Sequence, residues 1–234
     1  MLNAIGVKRM DEHAKGVRLL QEGRYDEAAK QFEEAIEENP DDPMPYLHFG
    51  DLLAATGDAE NALNIYKQAL ELDDALATAY YGVGNAYYKL ALYDEAKKMF
   101  ERAIGLGLAD KDLYFMIGMS HYKKGEVLYA LPYFQRAVEL DGEDIEARFQ
   151  LGLSLAFLKH VDEAIEQFEQ LRKLDGENPD VYYNLGVAFA HKHDVGKALA
   201  MFEKALKIQP NHLLAANGKQ WILKKQARAA ENEK

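Results

Sequence analysis

Between residues 179 and 210, apolar and small side chains recur at intervals of three and four, in two bursts. With Pro179 as position 1, the first burst is Tyr182, Leu185, Gly186 and Phe189, at positions 4, 7, 8 and 11. The second is Ala198, Phe202 and Ala205, at positions 20, 24 and 27, and Pro210 follows at 32. Such spacing puts each burst on one face of a helix, so the stretch predicts helix A over roughly positions 2–14 and helix B over roughly 18–30.

The same register recurs five more times toward the N-terminus, in steps of 34 residues and without insertion. Position 8 is Gly16, Gly50, Gly84, Gly118, Gly152 and Gly186. Position 20 is alanine in every copy: Ala28, Ala62, Ala96, Ala130, Ala164 and Ala198. Position 24 is Phe32, Tyr66, Phe100, Phe134, Phe168 and Phe202. Position 27 is Ala35, Ala69, Ala103, Ala137, Leu171 and Ala205. Small residues at 8 and 20 are expected to face each other where helix A crosses helix B, because only small side chains let the backbones approach. One pair cannot bury its own apolar faces, so neighbouring pairs must stack.

The spacing aromatic-x-x-Leu-Gly-x-x-aromatic, then Ala, Phe, Ala and Pro, resembles the tetratricopeptide repeat (TPR) family. The resemblance covers residues 9–210 and implies an all-α, right-handed superhelix of six 34-residue helix pairs plus a C-terminal capping helix. It also implies no catalytic activity, and peptide or protein binding in a concave groove.

The boundaries follow from the register. Residues 1–8 are expected to be a flexible lead-in. The repeats are 9–42, 43–76, 77–110, 111–144, 145–178 and 179–210. A capping helix is expected over 211–230, started by Asn211, with a disordered tail over 231–234. Repeat one is worn on helix A, where Glu12 and Lys15 stand at positions 4 and 7, as suits a terminal helix with no neighbour on one side. Two departures stand out. Pro132 at position 22 is expected to shift or bend its helix. Leu171 at position 27 is expected to widen the spacing between repeats five and six.

Charge and composition narrow the functions. Net charge is −11, which argues against a nucleic-acid backbone as ligand. Cysteine is absent, which removes disulfides and thiolate metal sites. No signal-peptide pattern and no membrane-length apolar run occurs, so a cytoplasmic location without membrane attachment is expected. No phosphate loop or nucleophile motif appears, and no cofactor or metal is expected. His191, His193 and Asp194 sit together in one turn but read as a polar surface. His13 and His48, at inner positions of adjacent repeats, are expected to face each other. His121 replaces the large residue of position 11 and reads as packed.

What remains is a binding surface. In the array the resemblance implies, positions 2, 5, 6, 9, 12 and 13 of helix A line the inner face. Repeat three offers Tyr81, Asn85 and Tyr88 there. Repeat four offers Asp112, Phe115, Met116, Met119 and Tyr122. Repeat five offers Glu146, Phe149, Gln150, Leu153 and Phe157, and repeat six Tyr183 and Asn184. Apolar residues at positions not needed for helix packing mark an interaction surface, and aromatics are favoured anchors. Asn85, Gln150 and Asn184 are expected to bond an extended peptide backbone. Asp112, Glu146 and Asp180 at position 2 form an acidic rail suited to a basic partner. The bland reading of the rings is partial burial between repeats.

The family's chaperone-docking members grip a terminal carboxylate through cations at positions 2, 5 and 6. Here only Asn85 fits, and Tyr81, Met116, Glu146 and Gln150 supply no cation, so no carboxylate clamp is expected. The leading expectation is a non-catalytic scaffold binding an apolar, basic segment of a protein. The alternative is a self-assembling homo-oligomer whose capping helix, with Trp221, docks into another copy's groove.

Overall fold

The computed structural model describes residues 11–232, with side chains through Arg228. The expected lead-in over 1–8 lies outside them, as do residues 233 and 234 of the expected tail. Among the described residues there are thirteen α-helices and no strand. The chain divides into two compact units, Met1–Ala109 and Asp110–Lys234.

The first unit holds α1 (Glu12–Gln21), α2 (Tyr25–Glu38), α3 (Pro43–Ala55), α4 (Ala59–Leu72), α5 (Ala77–Lys89) and α6 (Tyr93–Gly105). Consecutive helices pack as the pairs α1–α2, α3–α4 and α5–α6, and each pair packs on the next. Short acidic side chains start several of these helices. Asp11, Asp42 and Asp58 each accept a backbone N–H of the first turn, which satisfies a donor that the helix itself cannot. Glu12 and Lys15 on the worn first helix pair with each other at 2.8 Å.

The second unit holds α7 (Lys111–Lys123), α8 (Val127–Leu140), α9 (Ile145–Phe157), α10 (Val161–Leu174), α11 (Pro179–His191), α12 (Val195–Ile208) and α13 (Leu213–Asn232). It packs by the same pairwise rule, with α13 against α12 and α11. Lys111 bridges Asp141 at 2.6 Å and Asp144 at 3.0 Å, tying the start of α7 to the α8–α9 turn. Those two carboxylates push its ammonium up from its ordinary value.

The packing of the two helices in a pair differs from expectation in one respect. A Cβ built on any of the six position-8 glycines falls 2.5–2.8 Å from the position-24 ring of its own repeat. The glycine is therefore there to admit the ring, and the ring, rather than the alanine at position 20, is its closest opposite. Those rings are buried to 2% exposure or less, as are all six position-20 alanines. Tyr66 lies between two glycines, since a Cβ on Gly82 would meet it at 2.5 Å. Phe202 likewise lies between Gly186 and Gly218.

Position 15, in the turn two residues past the end of helix A, is left-handed in every repeat. It is Gly23, Gly57 and Gly125, but also Ala91, Lys159 and His193, whose φ values are 59°, 66° and 60°. Ordinary side chains pay about 1–2 kcal/mol for that conformation.

At position 4 another turn device recurs. Tyr46 and Tyr182 each donate a hydroxyl hydrogen bond to the carbonyl six residues back, in the preceding turn, and the guanidinium of Arg148 does the same.

Pro132 does not shift its helix, because α8 begins at Val127, the same register position as α4, α10 and α12. Its missing N–H would have bonded the carbonyl of Leu128, a residue 65% exposed. Leu171 is fully buried in a cluster with Phe168, Val181 and Leu185. The cap of α13 falls on His212 rather than Asn211. Its Nδ1 accepts the Ala215 N–H at 3.1 Å, which leaves the proton on Nε2 to be donated to Asp180 at 3.0 Å. That helix runs to Asn232, two residues beyond its expected end and into the expected tail.

Candidate functional site

The inner-face residues of helix A lie on α5 in the first unit and on α7, α9 and α11 in the second. All fifteen nominated side chains are at least partly exposed. Asp112, Glu146 and Phe157 are exposed outright, Phe157 at 70%. The other twelve are half-buried.

A repeated contact explains the half-burial. The ring at position 5 leans on the buried ring at position 24 of the same repeat. Centroid distances are 5.8 Å for Tyr81–Phe100, 5.8 Å for Phe115–Phe134, 5.9 Å for Phe149–Phe168 and 6.0 Å for Tyr183–Phe202. His13 repeats it on Phe32 at 6.2 Å. Partial burial of these rings is thus observed, but against the buried ring of their own repeat rather than only between repeats. Each such contact is worth about 0.5–1.5 kcal/mol beyond area alone, and each ring keeps part of its surface accessible. Tyr183 also meets the His212 ring at 5.5 Å and His13 the His48 ring at 4.9 Å.

In the second unit this arrangement collects several nominees around one core cluster. Phe115, Met119, Tyr122, Phe149 and Leu153 all pack against the cluster of Phe134, Leu151, Leu155 and Phe168. Tyr183 packs against a separate cluster around Phe202, with Val187 and Ala190 beside it. Met116 is half-buried on α7. In the first unit Tyr88 stacks edge-on against Tyr93 at 5.4 Å, and Asn85 is half-buried on the same helix.

The amides differ in readiness. Gln150 has a buried Oε1 with no hydrogen-bond partner. Asn184 spends its Nδ2–H on the carbonyl of Asp180 at 2.8 Å. On the acidic rail, Asp112 and Glu146 are exposed, whereas Asp180 already accepts from His212. A fourth carboxylate, Asp51, is at inner position 9 of repeat two. Burial pushes it up from its ordinary value even though the Tyr66 hydroxyl donates to it at 2.7 Å.

The histidines sort cleanly. His13 Nε2 and His48 Nδ1 do meet, at 2.8 Å, and Met44 O is 3.0 Å from the same Nδ1. Burial, then the neighbouring His48, holds His13 below its ordinary value. His121 packs between Tyr129 and Tyr133 and bonds Glu126 at 2.8 Å. Asp194 caps α12 and pairs with Lys197 at 3.1 Å. The Lys197 backbone N–H, more than any other contact, holds its carboxyl down. Among the described residues no group of three or more His, Cys, Asp or Glu stands ready for a metal ion. Nor is any helix there long and apolar enough to cross a membrane.

The sequence reading overlooked α13 as part of this face. Trp221 lies 34 residues after Val187, and Lys225 lies 34 after His191, so both continue the inner-face positions of α11. Extending the register past Pro210 would have found them. Trp221 is 57% exposed, and Lys225 Nζ stands 5.2 Å from its ring centroid.

Comparison with known proteins agrees with the fold. Family models described as tetratricopeptide repeat match residues 81–145 and 147–212, more than half of the chain. Further models of the same kind match 50–90 and 19–60. The curated TPR repeat-containing protein YrrB of Bacillus subtilis (strain 168) is 47% identical over 41 residues, 18% of this chain and 20% of that protein. The match thus spans about one fifth of that relative's length.

The crystal structure of YrrB, a TPR protein with an unusual peptide-binding site, superposes with a TM-score of 0.76 at 47% identity. It covers 82% of this chain and 99% of its own. MamA superposes at 0.65 with 25% identity, over 69% of this chain and 94% of its own. PilF of Pseudomonas aeruginosa shares the fold alone, at 0.75 with 16% identity, over 88% of this chain and 94% of its own. Six glycine–ring crossings in one 34-residue register and these matches lead to one conclusion: the chain belongs to the tetratricopeptide repeat family, whose members are in general scaffolds for protein–protein interaction.

Proposed function

We propose that this chain is a non-catalytic scaffold whose second unit binds a partner segment on the inner face of α7, α9 and α11. The segment carries apolar anchors for Phe115, Met119, Tyr122, Phe149, Leu153 and Phe157, and basic residues for Asp112 and Glu146. The observation that carries this reading is a row of rings half-buried against their own repeats and still partly accessible, ending in the exposed Phe157. Half-packed rings are rigid, so a partner covers them without a large loss of side-chain freedom. Gln150, with its unpartnered Oε1, supports a backbone or side-chain donor in the bound segment. YrrB, similar at 47% identity, has a peptide-binding site, which favours a peptide as the ligand class here.

The test is an array of ten-residue, amide-capped peptides that varies apolar content and charge independently, probed with the full chain. Binding should require two or more large apolar residues and rise with lysine or arginine content. Binding governed by charge alone, with apolar content irrelevant, contradicts the proposal.

A second reading has its own support. Leu213, Leu214 and Trp221 of α13 are 54–70% exposed and share one side of the helix, and such a face suits docking onto another copy. Sedimentation across a dilution series separates the two, because only the second requires self-association that closes the inner face.

A further inference from the structure

The whole chain carries a charge of −11, yet residues 181–230 contain eight Lys or Arg and only Asp194 and Glu203. Of those cations Lys225 lines a cleft of about 320 Å³ between α11, the α11–α12 turn and α13. Its apolar wall is Val187, Ala190, Phe202 and Trp221. Gly218 adds no side chain there, since a Cβ on it would lie 2.7 Å from the Phe202 ring. The ionisable groups lining the cleft are Lys225, His191 and His193, with no carboxylate among them. Asp194, the nearest acid in sequence, is turned to the N-terminus of α12 and to Lys197.

We propose that this cleft is a second binding site, which takes an acidic peptide segment through a large apolar side chain flanked by aspartate or glutamate. The volume accommodates one aromatic or long aliphatic side chain. Trp221 offers an exposed ring face for stacking, worth more than area alone. Lys225 and the two imidazoles stand at the mouth, where flanking carboxylates accept their hydrogen bonds. The surface that α7 and α9 offer has the reverse preference, so the two sites select segments of opposite charge. A flat basic patch would suit a nucleic acid or an anionic membrane equally. A cleft with an apolar side-chain lining and room for one large side chain favours a peptide.

Trp221 is the one tryptophan in the chain, so its emission reports occupancy directly. The probes are Ac-Glu-Glu-Phe-Glu-Glu-NH2, the same peptide with alanine in place of phenylalanine, the lysine counterpart of the first, and a ten-residue oligothymidylate. The full chain titrated with the glutamate–phenylalanine peptide should give a saturable change in emission. The alanine peptide should bind about tenfold more weakly. Lys225→Glu and His191→Glu, both on exposed helix positions, should each weaken binding about fivefold. Lys98→Glu makes the same change in net charge on an exposed position of α6 and should leave it unaltered.

Four results overturn the proposal. One is an equal response to the lysine peptide. A second is an equal response to oligothymidylate, which would make the region a general polyanion surface. A third is emission that changes on dilution of the protein alone, which would assign the cleft to another copy. The fourth is no response at about 1 mM peptide, an affinity too weak to matter. Failure here leaves the α7–α9 surface untouched, because that surface is read with a lysine-bearing peptide and with Phe157→Ala and Glu146→Gln, none of which involves the cleft.

Discussion

Position 24 and position 5 both carry rings, and they lie against each other, yet they obey different rules. At position 24 every repeat has Phe or Tyr, each almost wholly buried against its own glycine. At position 5 the residue varies from His13 through Leu47 to Tyr81, Phe115, Phe149 and Tyr183. The first ring has no room for change, because its neighbour has no Cβ to give up. The second is a ring in all repeats but the one with the buried Leu47, and each such ring is half-buried, part resting on its neighbour and part accessible. A side chain whose two faces answer to different neighbours is partly frame and partly surface, and substitution should separate the two roles.

The largest effect should come from the frame. Gly118→Leu forces a side chain into space where even a Cβ meets the Phe134 ring at 2.8 Å. Chemical denaturation of the full chain should show a loss of ~1–3 kcal/mol or more. A neutral result would mean that the ring can be displaced, and the distinction between the two positions would fail.

Phe149→Ala and Tyr122→Ala probe the shared rings. Their open faces are about half of what full burial supplies, so a bound segment should lose ~1–1.5 kcal/mol, near tenfold in Kd. Because their other faces touch Phe168 and Phe134, thermal stability should fall as well. Phe157→Ala is the cleaner change, since that ring is 70% exposed. It should reduce binding at least as much and leave the melting temperature alone.

Ala91→Gly sharpens the frame side from the other direction. It releases a left-handed alanine, so stability should rise by about 1 kcal/mol, measured by the denaturation midpoint.

His13 gives the position-5 role a pH signature. It faces His48 across α1 and α3, with Asp42 and Asp11 as the nearby carboxylates. Burial and His48 depress its value in the folded chain, so its stabilising contribution is present above the unfolded value of about 6.5. That contribution is lost as pH falls below it. Melting temperature should drop between about pH 7 and pH 5.5, and His13→Asn should flatten that slope.

The smallest effect belongs to the acidic rail. Glu146→Gln should slow association only at low salt, because an exposed charge contributes ~0–1 kcal/mol.

How much of this was legible in the sequence follows from the same contrast. Gly118, Ala130 and Phe134 recur every 34 residues because each is constrained by the other members of a repeating crossing. A periodic constraint leaves a periodic trace. The actual partner of the glycine was not legible, since spacing alone does not say whether the alanine or the ring approaches it. Half-burial of Phe149 was one of two readings the pattern left open, but its cause, the Phe168 ring of the same repeat, was not legible. The His212 cap was hidden because imidazole is not among the side chains that usually start helices. Trp221 was missed for a plainer reason: the register continues past Pro210 although the repeat does not.

The central claim is that open ring faces, and not the rail, supply the energy of binding on the second unit. Calorimetry with one array-selected, lysine-bearing apolar peptide tests it most directly, using wild type, Phe157→Ala and Glu146→Gln at low and high salt. The account predicts about a tenfold loss for Phe157→Ala at both salts. For Glu146→Gln it predicts a loss only at low salt. Abolished binding in Glu146→Gln with Phe157→Ala unchanged would contradict it and return the rings wholly to the core.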